Sequence, residues 1–316
     1  MIRNKMKVKE RGILMVHEIY PEKFDPAFLE KQAEISHHAL AYTDNDIFVK
    51  LENGHIVLPR FSDMKELYPD DYETFMEQAY YLFAIDEHPY FLITLPTGAE
   101  KQFPVYKTLP DRADRASGHG EPSFFFFNIY KFRELNPLSM VFAGATGSQI
   151  ARWKTSRSFC GRCGAKTIPS KKERAIVCPV CGQVEYPKIS PAIIVAVKNG
   201  DKLLLVRNNY GPYQNLGLVA GFVEIGESFE DTIYREVEEE VGLKIKNIKY
   251  YKSQPWAFSD TEMIGFTADL SGGDTITLQE SELSEGGWYS REEIPEIPYR
   301  LSVGSEMIHL FKTGRL

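Results

Sequence analysis

Glu236, Glu239 and Glu240 carry the strongest chemical signal in the sequence. Helix neighbours three and four positions apart share a face, so these carboxylates converge while Glu238 points away. Carboxylates so close repel one another unless a cation sits among them. Ligands that are all oxygen suit a hard divalent ion, Mg2+ or Mn2+, whose service is to activate water and neutralise phosphate oxygens. An exposed acidic helix would explain a run of glutamates. It would not explain the fixed offsets of Gly221, Glu227, Arg235 and Gly242 around that run. A second signal is Cys160-Gly-Arg-Cys163 and Cys178-Pro-Val-Cys181, two C-x-x-C pairs each followed by glycine, Gly164 and Gly182. Each pair aims two thiolates at one ion, and the intervening hairpin predicts a closed tetrahedral zinc site with a structural role.

The elements that must position these groups follow from the pattern. Ser228 to Val241 reads as a charged helix with Val237 and Val241 on an anchoring face, Gly242 at its C-terminus, and Arg235 placed to pair with Glu227. Ala192–Val197 and Leu203–Val206 flank Asn199-Gly200, a hairpin signal, and 244–254 and 263–270 read as strands. Residues 303–312 close the chain as a helix. In the N-terminal half, strands are predicted on both sides of Asn53-Gly54 and near 90–95, 103–108 and 124–130. A helix is predicted within 59–84, a mobile loop over 111–123, and a helix over 139–153 despite Gly144 and Gly147. His37, His38, His119 and His309 show no ligand spacing and read as surface or loop residues. Arg157, Arg162, Lys166, Lys171, Lys172 and Arg174 make the cysteine segment locally basic, read first as solvated surface charge.

Composition bounds the function. The chain has 316 residues, 43% hydrophobic and 26% charged, with net charge −7. That fits a globular protein of more than one domain and gives no general attraction to nucleic acid. No apolar run approaches the roughly 20 residues of a membrane span, so no membrane partner is expected. Only Ile13–Val16 follows the basic N-terminus, too short for a secretory signal, and paired C-x-x-C thiols favour metal over disulfides. Both point to a cytoplasmic protein.

The sequence from Gly221 to Leu243 reproduces the Nudix box, G-x5-E-x7-R-E-U-x-E-E-x-G-U, at every fixed position, with Val237 and Leu243 as the apolar U. The chain therefore resembles the Nudix hydrolases, which cut nucleoside diphosphates linked to another moiety. Ten residues on, Ser253-Gln254-Pro255-Trp256-Ala257-Phe258 resembles the S-Q-P-W-P-F-P-x-S signature of the NADH pyrophosphatase subfamily, which also carries a four-cysteine ribbon before its Nudix domain. Ala257 and Ser259 replace two prolines of that signature, and Thr261 its serine. The resemblance implies an α+β multidomain chain: a β-rich N-terminal domain (1–153), a zinc ribbon (154–187) and a Nudix α/β/α sandwich (188–316).

It further implies that Glu236, Glu239, Glu240, the carbonyl of Ala220 and Glu282 hold catalytic Mg2+ or Mn2+, although Glu280 and Glu285 lie close to Glu282 in register. Cys160, Cys163, Cys178 and Cys181 would hold Zn2+. Tyr186, Phe222, Gln254, Pro255, Trp256, Ala257, Phe258, Ser259, Asp260, Thr261 and the backbone near Gly304 would line a dinucleotide pocket, with Phe222 and Trp256 sandwiching a base. Arg235 and Glu227 would brace the machinery, and Glu239 is the expected general base or ligand. The implied reaction splits NADH or NAD+ into a nicotinamide mononucleotide and AMP. It extends to NAD caps on RNA, and the implied assembly is a homodimer. Two alternatives stand beside it: a broader diphosphatase acting on ADP-ribose, diadenosine or CoA-type compounds, and a nucleotide or RNA sensor that does not cut.

Overall fold

Aromatic residues of the N-terminal half and alternating aliphatics of the C-terminal half build separate cores. They are seen in a computed structural model that describes residues 15–52, 55–107, 124–209, 215–296 and 301–316. The chain divides into two compact units. One is Ile19–Lys188 with Ala257–Ser259; the other is Ile189–Trp256 and Asp260–Leu316 with the described end of Met1–Glu18.

Ahead of the ribbon, the first unit holds two sheets. One has the order β1 (Phe24–Asp25), β6 (Tyr80–Ile85), β7 (His88–Leu92), β2 (His38–Leu40). The other runs β3 (Tyr42–Thr43), β4 (Asp46–Glu52), β9 (Phe125–Asn128), β8 (Val105–Tyr106), with β5 (His55–Val57) also on β4. Three phenylalanines of the four-residue run form β9 with Asn128 because their neighbours cover both faces: Phe125, Phe126 and Phe127 are all buried. β4 and β5 form the expected hairpin, while Asn53-Gly54 and the loop over 111–123, with His119, lie outside the described residues.

The helical region after Pro59 is two short helices, α1 (Phe61–Leu67) and α2 (Tyr72–Gln78). Pro69 separates them, and β6 starts at Tyr80. α3 (Ile129–Phe132) leads to α4 (Leu138–Ser156). Gly144 and Gly147 do not break α4. They let it approach α3 and the sheet, since a Cβ at Gly144 would lie 2.6 Å from Phe132 and 2.8 Å from Ile47, and one at Gly147 2.5 Å from the Tyr42 hydroxyl. The surface-or-loop reading is overturned for His38, which is buried in a strand; His37 is buried too, but in the loop just before it. His38 lies in β2, its Nδ1 3.1 Å from the Leu58 carbonyl and its ring stacked on Tyr90 at 4.5 Å. The ribbon contributes β10 (Ile168–Pro169), β11 (Ile176–Val177) and β12 (Val184–Glu185) as an antiparallel sheet.

The second unit is organised around β13 (Ser190–Asn199). β14 (Lys202–Asn208) and β15 (Val219–Phe222) pair along one edge, antiparallel, and β17 (Thr261–Leu270) runs parallel along the other. β16 (Ile245–Trp256) lies beyond β17, and β18 (Leu283–Ser290) beyond β14. The first hairpin turn falls one residue later than its signal suggests: Asn199 pairs with Lys202, leaving Gly200, at φ 61°, and Asp201 as the loop. Alternation along β13 divides the core. Ile193, Val195 and Val197 pack with Ile233, Val237 and Val241 of α5 (Phe229–Val241). Ile194 and Ala196 pack with Val303, Met307, Ile308 and Phe311 of α6 (Val303–Lys312). This is the expected sandwich, helix on each face of the sheet. No helix among the described residues is long and apolar enough to cross a membrane.

Candidate functional site

The glutamate helix α5 starts at a reciprocal cap. The Asp231 N–H donates to Ser228 Oγ (3.1 Å), and the Ser228 N–H donates to the Asp231 carboxylate (3.2 Å). Its apolar face is fully buried, which fixes its rotation and turns Glu236 and Glu240 toward the sheet. At Gly242, φ is 68°, and its N–H donates to the Glu238 carbonyl at 3.0 Å, ending the helix.

Gly221 has a steric reason. A Cβ there would fall 2.0 Å from the Glu236 carboxylate, so only glycine lets that side chain lie against β15. Arg235 ties the loop to the helix as its spacing predicts. Its Nε and Nη2 donate to the two oxygens of Glu227 at 2.6 and 2.9 Å, and Nη2 also donates to the Phe222 carbonyl at 3.1 Å. Glu227 accepts further from Thr232 Oγ1 (2.8 Å) and the Glu224 N–H (3.1 Å). The Arg235 hydrogen bond leads in holding the Glu227 carboxyl down to about 2. The remaining Arg235 nitrogen, Nη1, donates to Glu236 (2.7 Å) and Glu239 (3.1 Å).

Glu240 is only 6% exposed. Burial, and then the charges of Glu236, Glu282 and Glu239, push its carboxyl up to about 8. Burial also raises Glu236, against the pull of Arg235, with Glu239 and Glu282 adding to the rise. Glu282 thus belongs to this field of charge. The Gln279 N–H donates to the Glu240 carbonyl (3.0 Å), bringing residues 279–282 back to the last turn of α5. Glu285 is engaged elsewhere, by Arg207 at 2.8 Å, and the Glu280 carbonyl accepts from Asn209. Of the three glutamates after the box, Glu282 is the one whose charge acts on both Glu236 and Glu240. A buried carboxylate in a field of like charge, with oxygen its only donor, fits a hard divalent cation. Gln279 and Thr232 carry no fixed-offset signal, so sequence reasoning missed both.

The cysteines form two identical knuckles. The N–H groups of Gly164 and Gly182 donate to the carbonyls of Cys160 and Cys178 at 2.9 and 3.0 Å. Those of Cys160 and Cys178 donate to the carbonyls of Ala165 and Gln183, both at 2.8 Å. Both glycines have positive φ, 74° and 73°. All four sulfurs lie within 4.8 Å of one another, with Cys160–Cys181 at 3.6 Å and Cys163–Cys178 at 3.5 Å. Zn–S bonds of about 2.3 Å in a tetrahedron place sulfurs about 3.8 Å apart. The thiols are free, and the site fits structural zinc.

The Ser253-Gln254-Pro255-Trp256 stretch ends β16. Trp256 pairs in register with Thr261 across residues 257–260, and Asp260 takes φ 56°. Gln254 is fully buried, with both ends of its amide engaged. Nε2 donates to the Leu301 carbonyl (2.8 Å), and Oε1 accepts from the Val303 N–H (2.7 Å). It fixes the start of α6 instead of offering an open donor. Gly304, in the first turn of α6, is buried where a Cβ would meet Ile194 at 2.7 Å. Ala257, Phe258 and Thr261 are buried, Trp256 and Asp260 half-buried, and Pro255, Ser259 and Ala220 exposed. Phe222 (55%) and Tyr186 (59%) are exposed, and Tyr186 donates to Glu173 at 3.2 Å. Tyr186 and Ala257–Ser259 belong to the first unit, and the other predicted pocket residues to the second.

Residues 188–311 match the model of the NUDIX domain, and residues 156–186 that of the NADH pyrophosphatase zinc ribbon domain. The NAD-capped RNA hydrolase NudC of Actinobacillus succinogenes is 45% identical over 220 residues, 67% of this chain and 80% of that protein. The protein of the same name from Haemophilus influenzae (strain PittEE) is 44% identical over 170 residues, 52% of this chain. The chain thus spans 63% of the length of that relative. Among solved structures, a NUDIX hydrolase from Nitrosomonas europaea gives a TM-score of 0.41 at 20% identity, covering 49% of this chain and 90% of that one.

Proposed function

This chain belongs to the Nudix hydrolases that carry the NADH pyrophosphatase zinc ribbon, and we propose that it hydrolyses the diphosphate of NADH or NAD+ to a nicotinamide mononucleotide and AMP. The same cut would remove an NAD cap from an RNA 5′ end, since the bond broken is the same. The observation that carries the reading is the buried carboxylate of Glu240, which lies in the field of Glu236, Glu282 and Glu239. The name of the relatives, NAD-capped RNA hydrolase, supports the choice of substrate.

Glu236, Glu239, Glu240 and Glu282, with the carbonyl of Ala220, would hold Mg2+ or Mn2+. When bound, such an ion neutralises diphosphate oxygens and lowers the pKa of a water. Glu239 has the most open side chain of the Arg235 partners, 55% exposed, against 12% for Glu236. It is our choice for the group that takes the proton of the attacking water. Arg235 orients Glu236 and Glu239 and is itself fixed by Glu227. The exposed ring of Phe222 at the end of β15 offers a face for a base, with Trp256 as its counterpart. Pro255, Asp260 and Thr261 would complete the pocket, with Gln254 and Gly304 holding the backbone that shapes it. Zinc holds the ribbon and takes no part in the chemistry, because a four-cysteine site has no open position.

The reading extends to a homodimer and to the cytoplasm. Exposed Phe222, Ile225 and Tyr250 supply apolar surface for the first, and four unpaired thiols suit the second. Light scattering should give twice the chain mass. Replacement of two signature prolines by Ala257 and Ser259 keeps a broader diphosphatase as the second reading. Comparison of kcat/KM decides between them: NADH preferred over ADP-ribose supports the proposal, and the reverse order sinks the choice of substrate while leaving the hydrolase reading intact.

A further inference from the structure

Arg174 does not behave as solvated surface charge. It reaches from the tip of the ribbon hairpin to the β1–β6 sheet of the same unit, where Nη2 donates to the carbonyls of Pro26 and Leu82. These carbonyls lie where β1 stops pairing with β6, so the guanidinium caps an open sheet edge. Its plane lies over Phe28 at 5.8 Å. Its other terminal nitrogen, Nη1, is buried with no hydrogen-bond partner among the described residues. Tyr80, at the start of β6, stands within the electrostatic reach of Arg174, and its hydroxyl is likewise buried and unpaired. A second cation flanks the same tyrosine: Lys154, in the last turn of α4, places Nζ 5.5 Å from the Tyr80 ring centre. Burial depresses both Lys154 and Arg174 below their ordinary values.

The carboxylates near this place have other partners. Glu173 accepts from Tyr186, Glu30 pairs with Lys171 at 3.7 Å, and Asp25 accepts from the Ala27 N–H. Two half-buried cations and a buried hydroxyl thus gather around Tyr80 with no anion to answer them among the described residues. The donors present, guanidinium, ammonium and phenol, call for a partner that only accepts and that carries negative charge. Burying cations without such a partner is unfavourable. We propose that Arg174, Lys154 and Tyr80 form a second ligand site, separate from the glutamate cluster, that takes a small oxyanion of the phosphate class. Bound there, the anion clips the ribbon hairpin to the end of α4 and the start of β6. A free phosphate ion and the terminal phosphate of a mononucleotide share this chemistry.

The test uses the full zinc-loaded chain without added Mg2+ or Mn2+. Inorganic phosphate and AMP are titrated separately at ionic strength matched with chloride, and binding is followed by calorimetry and by the thermal midpoint. The expected result is saturable binding of at least one of them. Lys154→Met should weaken it at least tenfold and Tyr80→Phe several-fold, and Glu236→Gln should leave it unchanged. Binding of phosphate itself identifies the free ion, and binding of AMP alone identifies the nucleotide. No saturable effect beyond that of chloride overturns the proposal. So does binding that survives both Lys154→Met and Tyr80→Phe, or that is lost in Glu236→Gln. Arg174 also caps a sheet edge, so the test does not depend on a variant at that position.

Discussion

At the scale of the residue, the box was legible because its chemistry is local. Glu236, Glu239 and Glu240 meet by helical geometry alone, and Arg235 reaches back two turns to Glu227, just ahead of the helix N-cap. What sequence left open depends on distant chain: Glu282 comes into the electrostatic reach of Glu240 as Gln279 returns to the Glu240 carbonyl, a contact no spacing rule encodes. Gly221→Ala tests the packing directly. The added methyl must displace the Glu236 carboxylate, so activity should collapse while overpacking costs about 1–3 kcal/mol in denaturant unfolding. Glu240 sets a pH dependence. Its carboxyl is raised in the fold to about 8, so its contribution to stability is complete below its ordinary value of 4.5 and is lost as pH rises through about 8. The zinc-loaded protein without Mg2+ should lose thermal stability across that window, and Mg2+ should restore it. A midpoint indifferent to Mg2+ at pH 8 would count against cation binding here.

At the scale of the element, strands with alternating aliphatics and the two long helices were legible, and α6 falls on its expected residues. β18 was not, because Gly286 and Gly287 weaken its propensity and only pairing with β14 makes it a strand. The helix expected within 59–84 was cut by Pro69 and by the pull of β7 on the aromatic run after Tyr80. His38 was misread because a histidine in a strand gives no hint of which face it takes. Its burial carries a prediction. The folded His38 is depressed from 6.5 to about 4, so its contribution is present above 6.5 and is lost as pH falls through about 4. The shift corresponds to about 3 kcal/mol. His38→Asn should flatten the loss of stability between pH 6.5 and 4, and an unchanged slope would contradict this account.

At the scale of the whole molecule, the ribbon holds three strands of two residues each among those described, too little to stand without its ion. Removing zinc, or Cys163→Ser, should release the knuckles and destabilise the first unit, read as new proteolytic cleavage between residues 156 and 186. The ribbon was legible from four cysteines and two glycines. Its attachment through Arg174 was not, since a basic residue in a basic segment reads as surface until its carbonyl partners are seen. Likewise, nothing local announces that Met15 is buried with Leu203 and Leu205 in the hydrolase core.

The central claim is that the α5 carboxylates cut the diphosphate of a nicotinamide dinucleotide. The most direct measurement is mass analysis of the products formed from NADH by the purified chain with Mg2+ or Mn2+, beside Glu239→Gln. The account predicts AMP and reduced nicotinamide mononucleotide in equal amounts, with a fall on the order of 10³-fold in Glu239→Gln at unchanged thermal midpoint. Intact NADH after prolonged incubation, or equal turnover by the variant, would contradict it.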